Sequence, residues 1–165
     1  MPVEWSDIGP PEWRARRLIL TLTPGFRHTI RLIHRPVKFW RSVGVDGRSR
    51  IISTESAQKV AGDVPRALCR YAVNVIDRAD QQVKVLEGPE RLFMELRRCH
   101  ELTGVELGGA DAFDINIEVS AAATYRISYD AEQRTPFTPR EKEAIRMGMI
   151  DLRTVFAVSS VATPT

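Results

Sequence analysis

The fold of this chain is constrained most by a succession of short runs with the character of β-strands, separated by turn residues. The clearest run covers residues 70–77 and is rich in β-branched and aromatic side chains. Residues 113–119 alternate apolar with polar side chains, as expected for a strand with one buried face. The pattern therefore predicts a protein made mainly of short antiparallel strands. Further strands are predicted over residues 18–22, 26–33, 37–43, 48–53, 83–87 and 124–129.

Two helices are predicted, one inserted among the strands and one after them. Gly88-Pro89 precedes apolar side chains at helical spacing, and Gly104 is expected to end this first helix. Near the C-terminus, Thr138 and Glu141 have the spacing of a capping box, with a proline at the first helical position. The helix behind this cap is predicted to continue past residue 150. Its apolar stripe consists of Ile145, Met149, Leu152 and Phe156.

Short strands, frequent turns and an interposed helix favour a mainly β protein. The predicted architecture is a partly open antiparallel barrel of the oligonucleotide-binding type, with an inserted helix and a C-terminal helix. A generic α+β sandwich is the alternative. The predicted organisation is an N-terminal arm over residues 1–17, the barrel over 18–136, the terminal helix over 137–158 and a tail over 159–165.

Positive charge is concentrated in the first part of the chain. Residues 1–50 contain ten Lys and Arg against four Asp and Glu, whereas the whole chain of 165 residues has a net charge of only +3. This asymmetry predicts a basic surface that binds a polyanion.

The densest functional chemistry is Lys38-Phe39-Trp40-Arg41, which a turn joins to Arg48-Ser49-Arg50. Aromatic rings beside cations suit an extended nucleic-acid strand, because the rings stack on bases while the cations contact phosphates. Neighbouring strand residues face opposite ways, so Trp40 is expected to share the face of Lys38 and Phe39 to lie in the core. The alternative is a basic hairpin whose aromatic rings only fill the core and an interface.

Other basic and aromatic residues extend this candidate interface along the predicted strands. The predicted phosphate contacts are Arg27, Arg31, Lys38, Arg41, Arg48, Arg50 and Arg70. The predicted stacking residues are Trp40, Tyr71 and Tyr125, with a buried position as the alternative for Tyr125.

The sequence contains no phosphate-binding loop, no HExxH and no GxSxG, so we expect neither enzymatic activity nor a cofactor. Its two cysteines, Cys69 and Cys99, are thirty residues apart and form no CxxC pair, so no metal site is predicted. No apolar run has the length of a membrane span, and the N-terminus does not resemble a signal peptide. We therefore expect a cytoplasmic protein without a membrane partner.

The order of these motifs resembles the single-stranded DNA-binding proteins of tailed bacteriophages, which are related to the helix-destabilising protein of T-even phages. The resemblance covers roughly residues 30–143, and its most specific part is RYAVNVIDR over 70–78 with KVLE over 84–87. It implies an oligonucleotide-binding fold that holds a single strand in a basic cleft lined with aromatics. It also implies non-enzymatic protection of single-stranded DNA during phage DNA replication or recombination, in the host cell cytoplasm.

Two features depart from that family. Several members have a zinc-binding Cys/His insert, whereas residues 54–68 of this chain contain no Cys or His, so zinc is not expected. The family often ends in an acidic tail that recruits replication proteins, whereas residues 157–165 are uncharged, so recruitment of replication proteins stays open. The alternative function is a structural or interaction module, either a homo-oligomer or a component of a virion or transcription complex.

Overall fold

The computed structural model describes residues 19–43, 49–52 and 66–155. The predicted N-terminal arm, Arg48 with its hairpin turn, the whole connection over 54–65 and the C-terminal tail lie outside the described residues. Within them, the strands are β1 (Arg27–Leu32), β2 (Val37–Val43), β3 (Ser49–Ile52), β4 (Arg66–Asp77), β5 (Gln82–Pro89), β6 (Ile115–Val119) and β7 (Tyr125–Tyr129). The helices are α1 (Glu90–Thr103), α2 (Pro139–Gly148) and α3 (Leu152–Val155).

All strand pairs belong to one antiparallel sheet, with the order β3-β2-β4-β1-β6-β7 and with β5 on the other edge of β4. The prediction of a mainly β, antiparallel protein with an inserted helix is confirmed. The sheet of the described residues does not close into a barrel, so the oligonucleotide-binding type itself is not shown. The predicted strand over 18–22 is reduced to one bridge in its described part, between Ile19 and Val85.

Strand β4 is long because two shorter strands lie end to end along one of its edges. β2 pairs with residues 66–72 of β4, and β1 pairs with residues 75–77. Leu32 at the end of β1 lies opposite Val75, and Val37 at the start of β2 lies opposite Ala72. The segment from β1 to β2 therefore advances by five residues where β4 covers only three. The two extra residues produce a bulge between β1 and β2.

A histidine replaces the missing backbone partner at this bulge. The backbone N–H of Asn74 donates to Nε2 of His34 at 3.2 Å, where an uninterrupted strand would offer a carbonyl oxygen. Gly108 packs against the same point, and a Cβ atom there would lie 2.6 Å from Cα of His34. The bulge therefore requires glycine at position 108.

The sheet has an inner face, which α1 covers, and an outer face, which α2 and α3 cover in part. Core residues of the inner face come from β1, β4, β5 and β6 and pack on Leu92, Phe93 and Leu96 of α1. Helix α1 ends at Thr103, and Gly104 caps it with a φ of 68° and an N–H bond to the carbonyl of His100, which confirms the predicted stop. A second cluster on the outer face consists of Phe39, Ala72, Val85 and Leu152.

The capping box at the start of α2 is confirmed. Thr138 Oγ1 accepts from the N–H of Glu141 at 3.1 Å, and Glu141 Oε1 accepts from the N–H of Thr138 at 2.8 Å. The predicted continuous helix is wrong, because α2 ends at Gly148 and Met149 is 53% exposed. Asn74 holds the backbone carbonyl of Ile150 through its Nδ2 at 2.8 Å, which turns the chain back onto the sheet before α3 begins.

Candidate nucleic-acid interface

One open part of the inner face combines aromatic and basic side chains. Helix α1 packs on β4, β5 and β7. At this end of the sheet the described inner-face residues of β2, β3 and the first half of β4 are exposed or partly exposed. Strand register places Trp40 between Ile52 and Cys69, and it places Lys38 beside Tyr71. We call this region the Trp40 surface, and its residues are Lys38, Trp40, Ser42, Arg50, Ile52, Cys69 and Tyr71.

Alternation along β2 explains why the two adjacent aromatic residues differ. Phe39 points to the outer face, where it is only 2% exposed and packs in the same hydrophobic cluster as Leu152. Trp40 points to the inner face and is partly exposed. The prediction that Phe39 is a core residue is therefore confirmed, and Trp40 has an accessible ring.

The charges of the Trp40 surface are all positive among its described residues. The ammonium group of Lys38 lies 5.3 Å from the centroid of the Trp40 ring. Arg50 is exposed and lies opposite Ser42 in the β2–β3 pair. The carboxylate of Glu90 lies near Tyr71 at the edge of this surface and acts on it electrostatically. A partly exposed ring with cations on both sides suits a base and its adjoining phosphates.

Two other predicted phosphate contacts, Arg41 and Arg70, lie on the outer face and share one carboxylate. Arg41 binds Glu87 through two hydrogen bonds, of 2.7 and 3.1 Å, and its side chain is only 11% exposed. Arg70 Nε lies 3.3 Å from the same carboxylate without a hydrogen bond. The structure does not bring these two arginines together with Trp40.

Arg31 is fully buried, although the sequence pattern predicts it as a phosphate contact. Its guanidinium donates to the backbone carbonyls of Leu32, Leu107, Gly109 and Thr135. Burial lowers the pKa of Arg31, and the nearby charge of Arg78 adds to this effect. Because its donors are used inside the protein, Arg31 lies outside the candidate interface.

The remaining predicted residues are spread over the sheet. Arg27 is exposed on the outer face, opposite Glu118. Tyr125 lies on β7 at the far end of the sheet, partly buried against the core and 5.7 Å from the guanidinium of Arg91. Tyr71 stacks on Phe93 of α1, with ring centroids 5.4 Å apart. Of these residues, only Tyr71 adjoins Trp40.

A cleft of about 500 Å³ lies on the other side of Tyr71, between α1 and the bulge that follows β1. Its apolar floor contains Phe93 and Leu107, and Met94 at its rim is 57% exposed. The lining contains two arginines, Arg35 and Arg97, and two glutamates, Glu90 and Glu106. Each of the arginines is ion-paired to a glutamate. The sequence pattern does not predict this cleft, because its residues come from segments far apart in the chain.

The described residues contain no group of three or more His, Cys, Asp or Glu side chains that could hold a metal ion. Cys99 is 2% exposed, and burial raises the pKa of its thiol to about 11. A thiol with this pKa is protonated at neutral pH and is a poor metal ligand.

A network of charged residues joins the start of α2 to the sheet. Arg78 donates to Asp114 at 2.9 Å and also binds Glu141, which is fully buried. Burial by itself would raise the pKa of Glu141, but hydrogen bonds from Thr138 and Arg78 outweigh it and hold the pKa below its usual value. Ionised Glu141 therefore stabilises the fold.

This network predicts a specific acid sensitivity. Because the pKa of Glu141 is lower in the folded than in the unfolded state, its stabilisation is complete above about pH 4.5 and is lost as the pH falls through the lowered value. We expect Glu141→Gln to lower the free energy of unfolding at neutral pH by about 1–3 kcal/mol. The difference from the wild type should shrink on acidification, as measured by urea unfolding across the acid range.

Glu143 provides the matched control for this substitution. It lies on the same helix and its pKa is also lowered by an arginine, Arg146, but its side chain is 59% exposed. Glu143→Gln should change stability far less, because exposed ion pairs contribute little. Equal losses of stability in Glu141→Gln and Glu143→Gln would contradict the role assigned to Glu141. A Glu141→Gln protein whose stability falls on acidification as steeply as that of the wild type would contradict it as well.

No protein-family model, no curated protein and no solved structure significantly matches this chain. Of the helices in the described ranges, none is long and apolar enough to cross a membrane.

Proposed function

We propose that this protein is a non-enzymatic binder of single-stranded DNA, and that the strand lies on the Trp40 surface. The observation that supports this best is the partly exposed ring of Trp40 between Lys38 and Arg50, on an open part of the sheet. A flat ring accepts any base, so such a surface binds without strong sequence preference. Binding of this kind protects single strands during replication or recombination.

The proposed strand path runs across β3 and β2 and ends at the cleft beside Tyr71. A base stacked on Trp40 displaces the Lys38 ammonium from the ring, and the freed cation then contacts the adjoining phosphate. Arg50 contacts a phosphate on the other side of the ring. The cleft between Tyr71 and α1 has room for a further base, with Arg97 at its rim.

The proposal includes the finer fold type that the sequence resemblance implies. A strand such as β4, shared between two shorter strands in line, allows a sheet to bend towards a partly open barrel. The concave inner face would then be the binding side, as the position of Trp40 requires.

The experiment that tests this function removes one positive charge from the inner face or one from the outer face of the sheet. It then compares the effects of these substitutions on DNA binding. Each neutralised phosphate of a single strand contributes about −0.7 to the slope of log affinity against log salt concentration. We expect Lys38→Ala and Arg50→Ala each to weaken oligo(dT) binding and to reduce this slope by about that amount. Titrations of a fluorescent oligonucleotide at several salt concentrations give both quantities.

Arg27→Ala is the control, because it removes an exposed cation from the outer face. It should leave both affinity and slope near the wild-type values. Salt-independent binding, or equal effects of Arg27→Ala and Arg50→Ala, would argue against a strand on the Trp40 surface. Tighter binding to a duplex than to a single strand would argue against the proposed ligand.

A further inference from the structure

Strand β7 has one free edge within the described part of the chain, where β6 is its one paired neighbour. Free edges are usually blocked by a lysine, a proline, a bulge or a covering segment. The sequence of β7, Tyr-Arg-Ile-Ser-Tyr, contains no lysine or proline, and its pairing with β6 is regular over all five residues. Among the residues that the structure describes, no strand pairs with this edge, so it is available for pairing with another strand.

The hairpin geometry fixes which backbone groups face outward. Ser120 donates its N–H to the carbonyl of Thr124 at 3.0 Å, so Ser120 and Thr124 form a hydrogen-bonded pair of the β6–β7 ladder. Because hydrogen-bonded and non-bonded pairs alternate in an antiparallel ladder, Arg126 and Ser128 also bond to β6. The backbone groups of Tyr125, Ile127 and Tyr129 therefore point away from β6.

We propose that the protein forms a homodimer in which β7 pairs antiparallel with β7 of a second copy, centred on Ile127. In this register Tyr125 lies opposite Tyr129 of the second copy, and Ile127 lies opposite Ile127 of the second copy. All three outward residues of each strand then exchange backbone hydrogen bonds. Any other register that pairs the outward-facing residues of the two strands leaves at least one outward-facing residue of each β7 strand without a partner in the other strand.

The side chains are self-complementary in the same register. Two aromatic pairs form on the inner face, and such cross-strand pairs stabilise sheets. On the outer face, Arg126 lies opposite Ser128 of the second copy and diagonal to both Asp130 and Arg126 of the second copy, so no like charges are directly opposed. Since Arg126, Ser128 and Asp130 are all exposed, their side chains are available for this contact.

The dimer has its two-fold axis perpendicular to the sheet, because the paired residues share a face. Both Trp40 surfaces then lie on the same side of one continuous sheet. The dimer does not depend on the proposed DNA binding, so each proposal can fail without the other.

Charge substitutions at Ser128 test the register. Ser128→Glu places a carboxylate opposite Arg126 of the second copy and should tighten the dimer by about three- to tenfold. Ser128→Lys places like charges there and should weaken it by a similar factor of about three to ten. Sedimentation of the full chain over a range of concentrations gives the dimer dissociation constants, and melting temperatures verify that both variants fold.

The double variant Arg126→Glu/Ser128→Lys restores opposite charges across the interface and should recover dimerisation relative to Ser128→Lys. Opposite shifts for the two single variants together with this recovery support the β7 dimer. A monomer at every concentration overturns it. A dimer that both substitutions shift in the same direction, or that neither shifts, also overturns it, because its interface then lies elsewhere.

Discussion

Arg31→Ala is expected to lower the free energy of unfolding by about 3–5 kcal/mol, which is a large part of the stability of a domain of this size. The substitution leaves the carbonyls of Leu107, Gly109 and Thr135 without their buried donor. It also removes the cation that lies 4.6 Å from the centroid of the Phe137 ring. Unsatisfied buried acceptors and an unfilled space both destabilise the folded state.

Urea unfolding of the purified variant measures this effect. Arg27→Ala is the matched control, because Arg27 lies on the same strand but is exposed, and its loss should change stability by less than about 0.5 kcal/mol. A stable Arg31→Ala protein with weakened DNA binding would instead restore Arg31 as a phosphate contact.

Trp40→Ala is expected to weaken single-strand binding by about tenfold or more, because a base stacked on an aromatic ring contributes about 1–3 kcal/mol. Its melting temperature should stay close to that of the wild type, since the ring is partly exposed and lies outside the two core clusters. Fluorescence anisotropy with a labelled oligo(dT) gives the affinity, and thermal unfolding gives the stability.

Phe39→Ala is the control from the same strand. Because Phe39 is buried on the outer face, its truncation should cost about 3–5 kcal/mol of stability. We expect Trp40→Ala to lose affinity for single-stranded DNA while it keeps its stability, and we expect Phe39→Ala to lose stability. If Trp40→Ala unfolds the protein, the ring is part of the core and the surface has a structural role.

Local patterns in the sequence were sufficient for every predicted strand except the one over 18–22, for the start of α2 and for the orientation of the β2 hairpin. The alternation of Phe39 and Trp40 depends only on the two-residue period of a strand, and the cap at Thr138 depends on a spacing of three residues. The end of α2 could not be predicted in this way, because Asn74 holds Ile150 from 76 residues away.

The candidate site was predicted only in part, for the same reason. Alternation correctly separates Arg31 from its buried neighbours in β1, but it does not reveal that the segment around Thr135 covers that face as well. The strand pattern alone predicts that Arg41 is an accessible cation, but in the folded protein it binds Glu87, which lies 46 residues later in the chain. Long-range partners decide whether a strand arginine is a binding group or a structural one.

The most direct measurement of the central proposal is the fluorescence of Trp40 during titration with oligo(dT). Trp5 and Trp13 are first replaced by Phe, because the chain contains three tryptophans and only one of them belongs to the proposed surface. If a base stacks on Trp40, its emission should be quenched in a saturable manner, with a midpoint that moves to higher oligonucleotide concentration as salt is added. Unchanged Trp40 emission at oligonucleotide concentrations where anisotropy shows complete binding would contradict the account.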